Sequence, residues 1–134
     1  MGICPGLNEQ TYDACVIGSD EVFNCLSSGK WGFTSQLFGE VRQAKKVITY
    51  AASCGSTNIS GVPQPVQNRI KEAFERISYF SVRDENTRLF TETLSDKEIA
   101  FHLDPVLVND FLKEVENLDR IVKEDYCIVY SFKK

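Results

Sequence analysis

No apolar stretch in these 134 residues approaches the roughly 18 that a membrane-crossing helix needs, so no transmembrane segment is expected. Met1 to Gln10 contain neither Lys nor Arg and no long apolar core, and they do not read as a secretory leader. Met1-Gly2 opens like a myristoylation signal, but Gly6 occupies the position that needs Ser or Thr. Basic residues are in deficit, 15 against 19 acidic ones for a net charge of −4, which argues against a broad electropositive surface and against nucleic-acid binding. No CxxC pair occurs among Cys4, Cys15, Cys25, Cys54 and Cys127, and their number is odd. Metal-ligand spacing and a disulfide framework are therefore not expected. The thiols read as reduced, several of them buried as small hydrophobes, which points to a cytoplasmic address. In that compartment Asn58-Ile59-Ser60 is a chance match to the glycosylation pattern. Neither GxGxxG nor GxxxxGK followed by Ser or Thr is present, nor a nucleophile elbow, and no cofactor is expected. The one histidine, His102, lies inside an apolar run, where a partly buried neutral ring is favoured over a catalytic one.

Hydrophobic residues make up 43% and charged residues 25%, the balance of a soluble domain, and the length suits one domain. Repeats and low-complexity tracts are absent. Short apolar runs alternate with amphipathic segments. The runs are Ala14 to Ile17, Val47 to Ala52, Ile77 to Val82, Ile99 to Leu103 and Tyr126 to Tyr130. Unbroken runs rich in Val, Ile and aromatics fit strands buried on both faces of a parallel sheet. Val66, Ile70, Ala73, Phe74 and Ile77 recur at helical spacing after Pro65, while Gln67, Arg69, Lys71 and Glu72 face away. A second helix is expected from the N-cap Asp84, with Leu89, Phe90 and Leu94 on its inner side, and a weaker one within Asn109 to Val122. Leu26 to Ala44 reads as a loop with a short helix, anchored by Trp31, Phe33, Leu37, Phe38 and Val41. The order strand, helix, strand implies an α/β fold, a Rossmann-like parallel sheet with flanking helices.

Ligands of open parallel sheets bind beyond the carboxyl ends of the strands. The residues after the first four runs are Gly18-Ser19-Asp20, Ser53-Cys54-Gly55, Arg83-Asp84 and Asp104-Pro105, and all four sets are expected at one edge. Ser19 or Asp20 would cap a following helix first and contact a ligand second. Ser53 and Gly55 belong to a small polar loop suited to close approach. Arg83 either grips a carboxylate or phosphate or pairs with a neighbouring carboxylate such as Asp84 or Glu85. Asp104 reads first as an N-cap ahead of Pro105 and second as a ligand contact.

Four segments taken together resemble the polysaccharide pyruvyl transferase family. Tyr12 to Asn24 is similar to its YDxxVxGSDxxWN segment, with Phe23 in place of Trp. Lys45 to Gly55 resembles KxxYAASFG, with Cys54 in place of Phe. Phe80 to Asp84 resembles SVRE, with Asp84 for Glu, and Leu103 to Leu107 resembles DPVLL. Order and spacing also match, over about Tyr12 to Leu107.

The resemblance implies a bacterial enzyme with a two-domain fold of the GT-B kind. It would move a pyruvyl group from phosphoenolpyruvate to a sugar as a ketal during surface polysaccharide synthesis. Phosphoenolpyruvate and a saccharide acceptor are then the expected partners. Arg83 would serve the donor, with Ser19, Asp20, Ser53, Gly55 and Asp104 lining the same cleft, while no residue here is singled out as the catalytic acid. Residues 1–11 would be a truncated or appended stretch. Residues 12–122 would be part of the N-terminal Rossmann-like domain, and 123–134 a linker and first strand of a second domain. Such a piece is expected to be inactive alone, and its open sheet edge would favour self-association. Two competing readings are a sugar-nucleotide glycosyltransferase of the same architecture and an inactive fragment that acts as a binding module.

Overall fold

The computed structural model describes residues 10–27, 30–31, 34–116, 118–119, 122–127 and 129. Cys4, Phe33, Ile128 and Tyr130, which enter the expectations above, lie outside them.

Four of the apolar runs become parallel strands: β1 (Tyr12–Ile17), β4 (Ala44–Thr49), β5 (Ile77–Val82) and β6 (Ile99–Phe101). They lie side by side in the order β1-β4-β5-β6. Register runs from Tyr12 opposite Ala44 to Ile17 opposite Thr49, and from Phe80 opposite Ile99 to Val82 opposite Phe101. A two-stranded antiparallel ribbon, β2 (Leu26–Ser27) with β3 (Lys30–Trp31), and a 3-10 turn over Ser35–Phe38 fill the segment after β1. The fold is therefore a four-stranded parallel sheet with flanking helices, of the α/β kind. Among the described residues no helix is long and apolar enough to cross a membrane.

Helix α1 (Gln64–Phe74) carries Pro65 in its first turn and buries Ile70, Ala73 and Phe74. Phe74 is the hub of the core. Its ring lies 5.1 Å from Phe23, 5.9 Å from Phe38, 4.9 Å from Phe80 and 6.5 Å from Phe90. No glycine closes α1. Instead the Lys97 ammonium donates to the carbonyls of Phe74, Glu75 and Ile77 at 3.1, 2.8 and 2.8 Å. Helix α2 (Glu85–Leu94) buries Thr87, Phe90, Thr91 and Leu94, a stripe at i, i+3, i+4 and i+7. Leu89, expected on that inner side, is 50% exposed, because the stripe that meets the core is built on the two threonines instead. Short helices α3 (Pro105–Val108) and α4 (Leu112–Val115) follow.

Three further expectations are corrected. The strands are not buried on both faces. Both crossover helices pack into one hydrophobic cluster with Cys15, Ile17, Val47 and Phe80, whereas Val16 (60% exposed) and Tyr79 (47% exposed) point the other way. Successive crossovers moving in one direction along a sheet deliver their helices to the same side, so one face stays open among the described residues. The fourth run ends early as a strand: Leu103 lies beyond β6 and is exposed. Tyr126, Cys127 and Val129 are not in a strand.

Phe74→Ala removes contacts with four rings and should lower stability by about 3–5 kcal/mol, whereas Leu89→Ala should stay within about 0.5 kcal/mol of wild type. Urea unfolding of the two variants checks this, and similar losses for both would contradict the packing described.

Candidate site at the carboxyl edge of the sheet

Each parallel strand ends in a turn at the same edge, and each turn is pinned by bonds to its neighbours. Gly18 follows β1 with φ +131°, and a Cβ there would collide with the carbonyl oxygen of Tyr50. Asp20 does not cap a helix as expected. Its Oδ1 accepts from the Glu21 N–H at 2.8 Å and its carbonyl from Val22 at 2.7 Å, so the segment closes as a turn that delivers Phe23 to the core. Ser19 is half-buried in that turn.

Ser53, buried after β4, ties this turn to the next. Its N–H donates to the Asp20 carbonyl at 3.2 Å, and its own carbonyl accepts from Phe23 at 2.9 Å. Its Oγ accepts from the Gly55 N–H at 3.0 Å. Gly55 has φ +57°, and the Glu21 carboxylate occupies the space where a Cβ would project. Cys54 N–H donates to Thr87 Oγ1 at 2.8 Å, and Asn86 Nδ2 donates to the carbonyls of Gly55 and Thr57 at 2.9 and 3.1 Å. Asp20, Ser53 and Gly55 thus form one group over the start of α2, with Asp84 as its fourth member. Asp84 Oδ1 accepts from the Thr87 N–H and hydroxyl at 2.8 and 2.7 Å, the expected N-cap.

A second group sits at the tips of β5 and β6. Arg83 N–H continues the sheet by donating to the Ala52 carbonyl at 3.2 Å, and its guanidinium pairs with Asp104 Oδ2. Asp104 Oδ1 accepts from Val106 N–H at 3.0 Å and starts α3 with Pro105, so one carboxylate is both the expected cap and the partner of Arg83. Of the two readings of Arg83, the structure shows the carboxylate pair, with Asp104 rather than Asp84 or Glu85 as the partner, because β5 and β6 are adjacent strands. His102 is exposed rather than partly buried. Its N–H donates to the Val82 carbonyl at 3.0 Å, its Nδ1 is 2.8 Å from Ser81 Oγ, and its ring stacks on Tyr50 at 5.6 Å.

The edge is acidic in balance, with Asp20, Glu21, Asp84 and Asp104 around Arg83. Burial works against the Asp84 carboxylate, but hydrogen bonds from Thr87 and Ser53 and the nearby Arg83 charge outweigh it and hold its pKa below the usual value. Burial, helped by the neighbouring Cys54, pushes the Cys25 thiol up to about 11, and burial also raises Cys54, so both behave as inert packing groups. Among the described residues no three His, Cys, Asp or Glu side chains gather as a metal site. A polar cavity of about 200 Å³ between Ser35, Glu40, Arg69, Glu72 and Arg76 lies before β4 and β5, at the other end of the strands.

All six candidate residues therefore occur at one edge, five of them divided between two hydrogen-bonded groups that meet at Arg83-Asp84, with Ser19 in the turn beside Asp20. Tyr50, Ser81, Asn86 and Thr87 join them without having been singled out in the sequence. The available signal for Tyr50 and Ser81 was a polar group embedded in an apolar run. A scan against protein-family models, a search of the curated proteins and a search of the solved structures each return no match.

Two outcomes test this geometry. Gly18→Ala should destabilise the protein by several kcal/mol, on the order of 3, since both the positive φ and the Tyr50 carbonyl oppose a side chain. A thermal melt within a degree or two of wild type would contradict the turn. Asp84→Ala should cost about 1 kcal/mol at pH 7 as a lost N-cap. Because the folded-state pKa of Asp84 is lowered, its stabilisation is present above the unfolded carboxylate value near 3.9 and is lost as pH falls through the folded value. Denaturation curves for the pair should accordingly converge on acidification below about pH 4.

Proposed function

We propose that this chain forms part of a polysaccharide pyruvyl transferase-like enzyme, a bacterial cytoplasmic protein. In this reading residues 12–122 are a portion of a Rossmann-like half of a GT-B-like fold, and 123–134 lead into its second half. The observation that supports it is convergence. Motif residues spread from Asp20 to Asp104 meet at the carboxyl edge of one parallel sheet, where open α/β folds bind ligands.

The chemistry sets what such an edge must offer. In pyruvyl transfer a proton adds to the methylene carbon of phosphoenolpyruvate through the C=C electron pair, leaving the adjacent carbon electron-poor. A sugar hydroxyl oxygen bonds to that carbon and gives up its proton. The oxygen of a second hydroxyl then bonds to the same carbon as the phosphate leaves with its C–O electron pair and takes up that hydroxyl's proton, and a ketal results. The donor carries a carboxylate and a phosphate throughout and needs cationic donors. In this reading Arg83 is the cation that would serve it. Asp20, which is exposed, would meet the sugar hydroxyls while the buried Ser53 holds the turn beside it, and the remaining cations and the proton donor would belong to the facing half of the cleft. Asp104 holds Arg83 in the absence of donor and would compete with it.

Titrating phosphoenolpyruvate into the isotope-labelled chain should shift the amides of Arg83 and its neighbours. Arg83→Gln should weaken binding about tenfold or more, the worth of a hydrogen bond to a charged group. Asp104→Asn keeps an acceptor for Val106 but removes the competing charge, so it should bind the donor more tightly than wild type. A folded protein showing no shift at millimolar phosphoenolpyruvate would remove the donor site.

A further inference from the structure

We infer that His102 is an uncharged hydrogen-bond donor to an anionic oxygen, its proton fixed on Nε2 by Ser81 and its ring oriented by Tyr50. The tautomer follows from the hydrogen bonds of one hydroxyl. Ser81 Oγ accepts from the Ala51 N–H at 2.9 Å. The Ser81 backbone is held on both sides by Thr49, whose Oγ1 accepts from the Ser81 N–H at 2.7 Å and donates to its carbonyl at 2.9 Å. Ser81 is buried, so its own proton needs a protein acceptor, and His102 Nδ1 at 2.8 Å is that acceptor. An uncharged imidazole that accepts at Nδ1 carries its proton at Nε2. In that tautomer the ring turns its Nε2–H outward as a directional donor.

Position then selects the ligand. Ser81 pairs with Ala100 and Val82 with Phe101, so the alternation of the strands sets Arg83 and His102 on the face of Ser81, the open side of the sheet. The stack on Tyr50 fixes the ring plane there, and Val16 of β1 lies uncovered on that side. A guanidinium with N–H groups beyond those directed at Asp104 and an Nε2–H on one exposed edge make a two-donor seat for a carboxylate or phosphate oxygen. Naming the donor substrate as its occupant rests on the pyruvyl transfer reading; the tautomer and the seat do not.

The test uses the whole labelled chain. Long-range nitrogen–proton correlation of the His102 ring should show Nε2–H in the free protein, and Ser81→Ala should shift the ring toward a tautomer mixture. Inorganic phosphate, pyruvate and phosphoenolpyruvate are then titrated separately. At least one should move His102 Nε2 together with the Arg83 side chain, and His102→Ala should weaken that binding about tenfold, with His102→Asn, which retains an N–H donor, recovering part of the loss. An Nδ1–H ring in the free protein overturns the inference, as does binding at Arg83 that His102→Ala leaves unchanged; that second result would spare the donor site. Conversely, phosphate or pyruvate that engages His102 as tightly as phosphoenolpyruvate does would keep this seat and remove the case for phosphoenolpyruvate. Should Ser81→Ala not fold, the ring tautomer of the wild type decides alone.

Discussion

The direction in which the chain crosses the sheet governs the rest of this structure. From β4 through α1 to β5, and from β5 through α2 to β6, the path steps the same way, and both helices land on one side. Phe74 makes that arrangement rigid by gathering rings from the first turn, the 3-10 turn, β5 and α2. Packing of this density sets the spacing of the strands and therefore where their ends fall. The polar edge inherits its geometry from an apolar contact on the opposite side of the backbone.

That asymmetry divides the edge chemically. On the helix side, Ser53, Gly55 and Asp84 are taken up by bonds that hold the turns and the α2 cap, and Asp20 directs one carboxylate oxygen to the Glu21 N–H. Toward the open side, Arg83, Asp104, His102 and Tyr50 are exposed or half-buried and have capacity left over. The open side thus presents one cation paired with one carboxylate, beside one imidazole and one phenol. The two groups share a peptide link at Arg83-Asp84.

The apolar runs made the strands legible: Ile77–Val82 is the run itself, β1 begins two residues before its run, and β4 is shifted three residues upstream of Val47–Ala52. The strand-end rule likewise made Asp20, Ser53, Gly55, Arg83 and Asp104 visible. Which face a residue occupies was not legible, because Val16, Ile48 and Tyr79 are as apolar as their inward neighbours and the alternation is hidden. Leu89 misled for the same reason, since Thr87 and Thr91 take the inner stripe by satisfying their hydroxyls against Asp84 and the helix backbone. The partner of Arg83 depends on lateral adjacency of β5 and β6, which no local pattern encodes. His102 was read from the company it keeps in sequence, whereas its environment is set by Ser81 and Tyr50 on other strands.

The ammonium of Lys97 at the end of α1 has a consequence for how the chain assembles. Helices that stop on a left-handed glycine terminate with material from their own immediate neighbourhood. Here the last carbonyls wait for a group some twenty positions downstream. On the ribosome, the corner between α1 and β5 stays chemically unfinished until α2 and the loop after it have left the exit tunnel, so this part of the protein matures as one block rather than turn by turn.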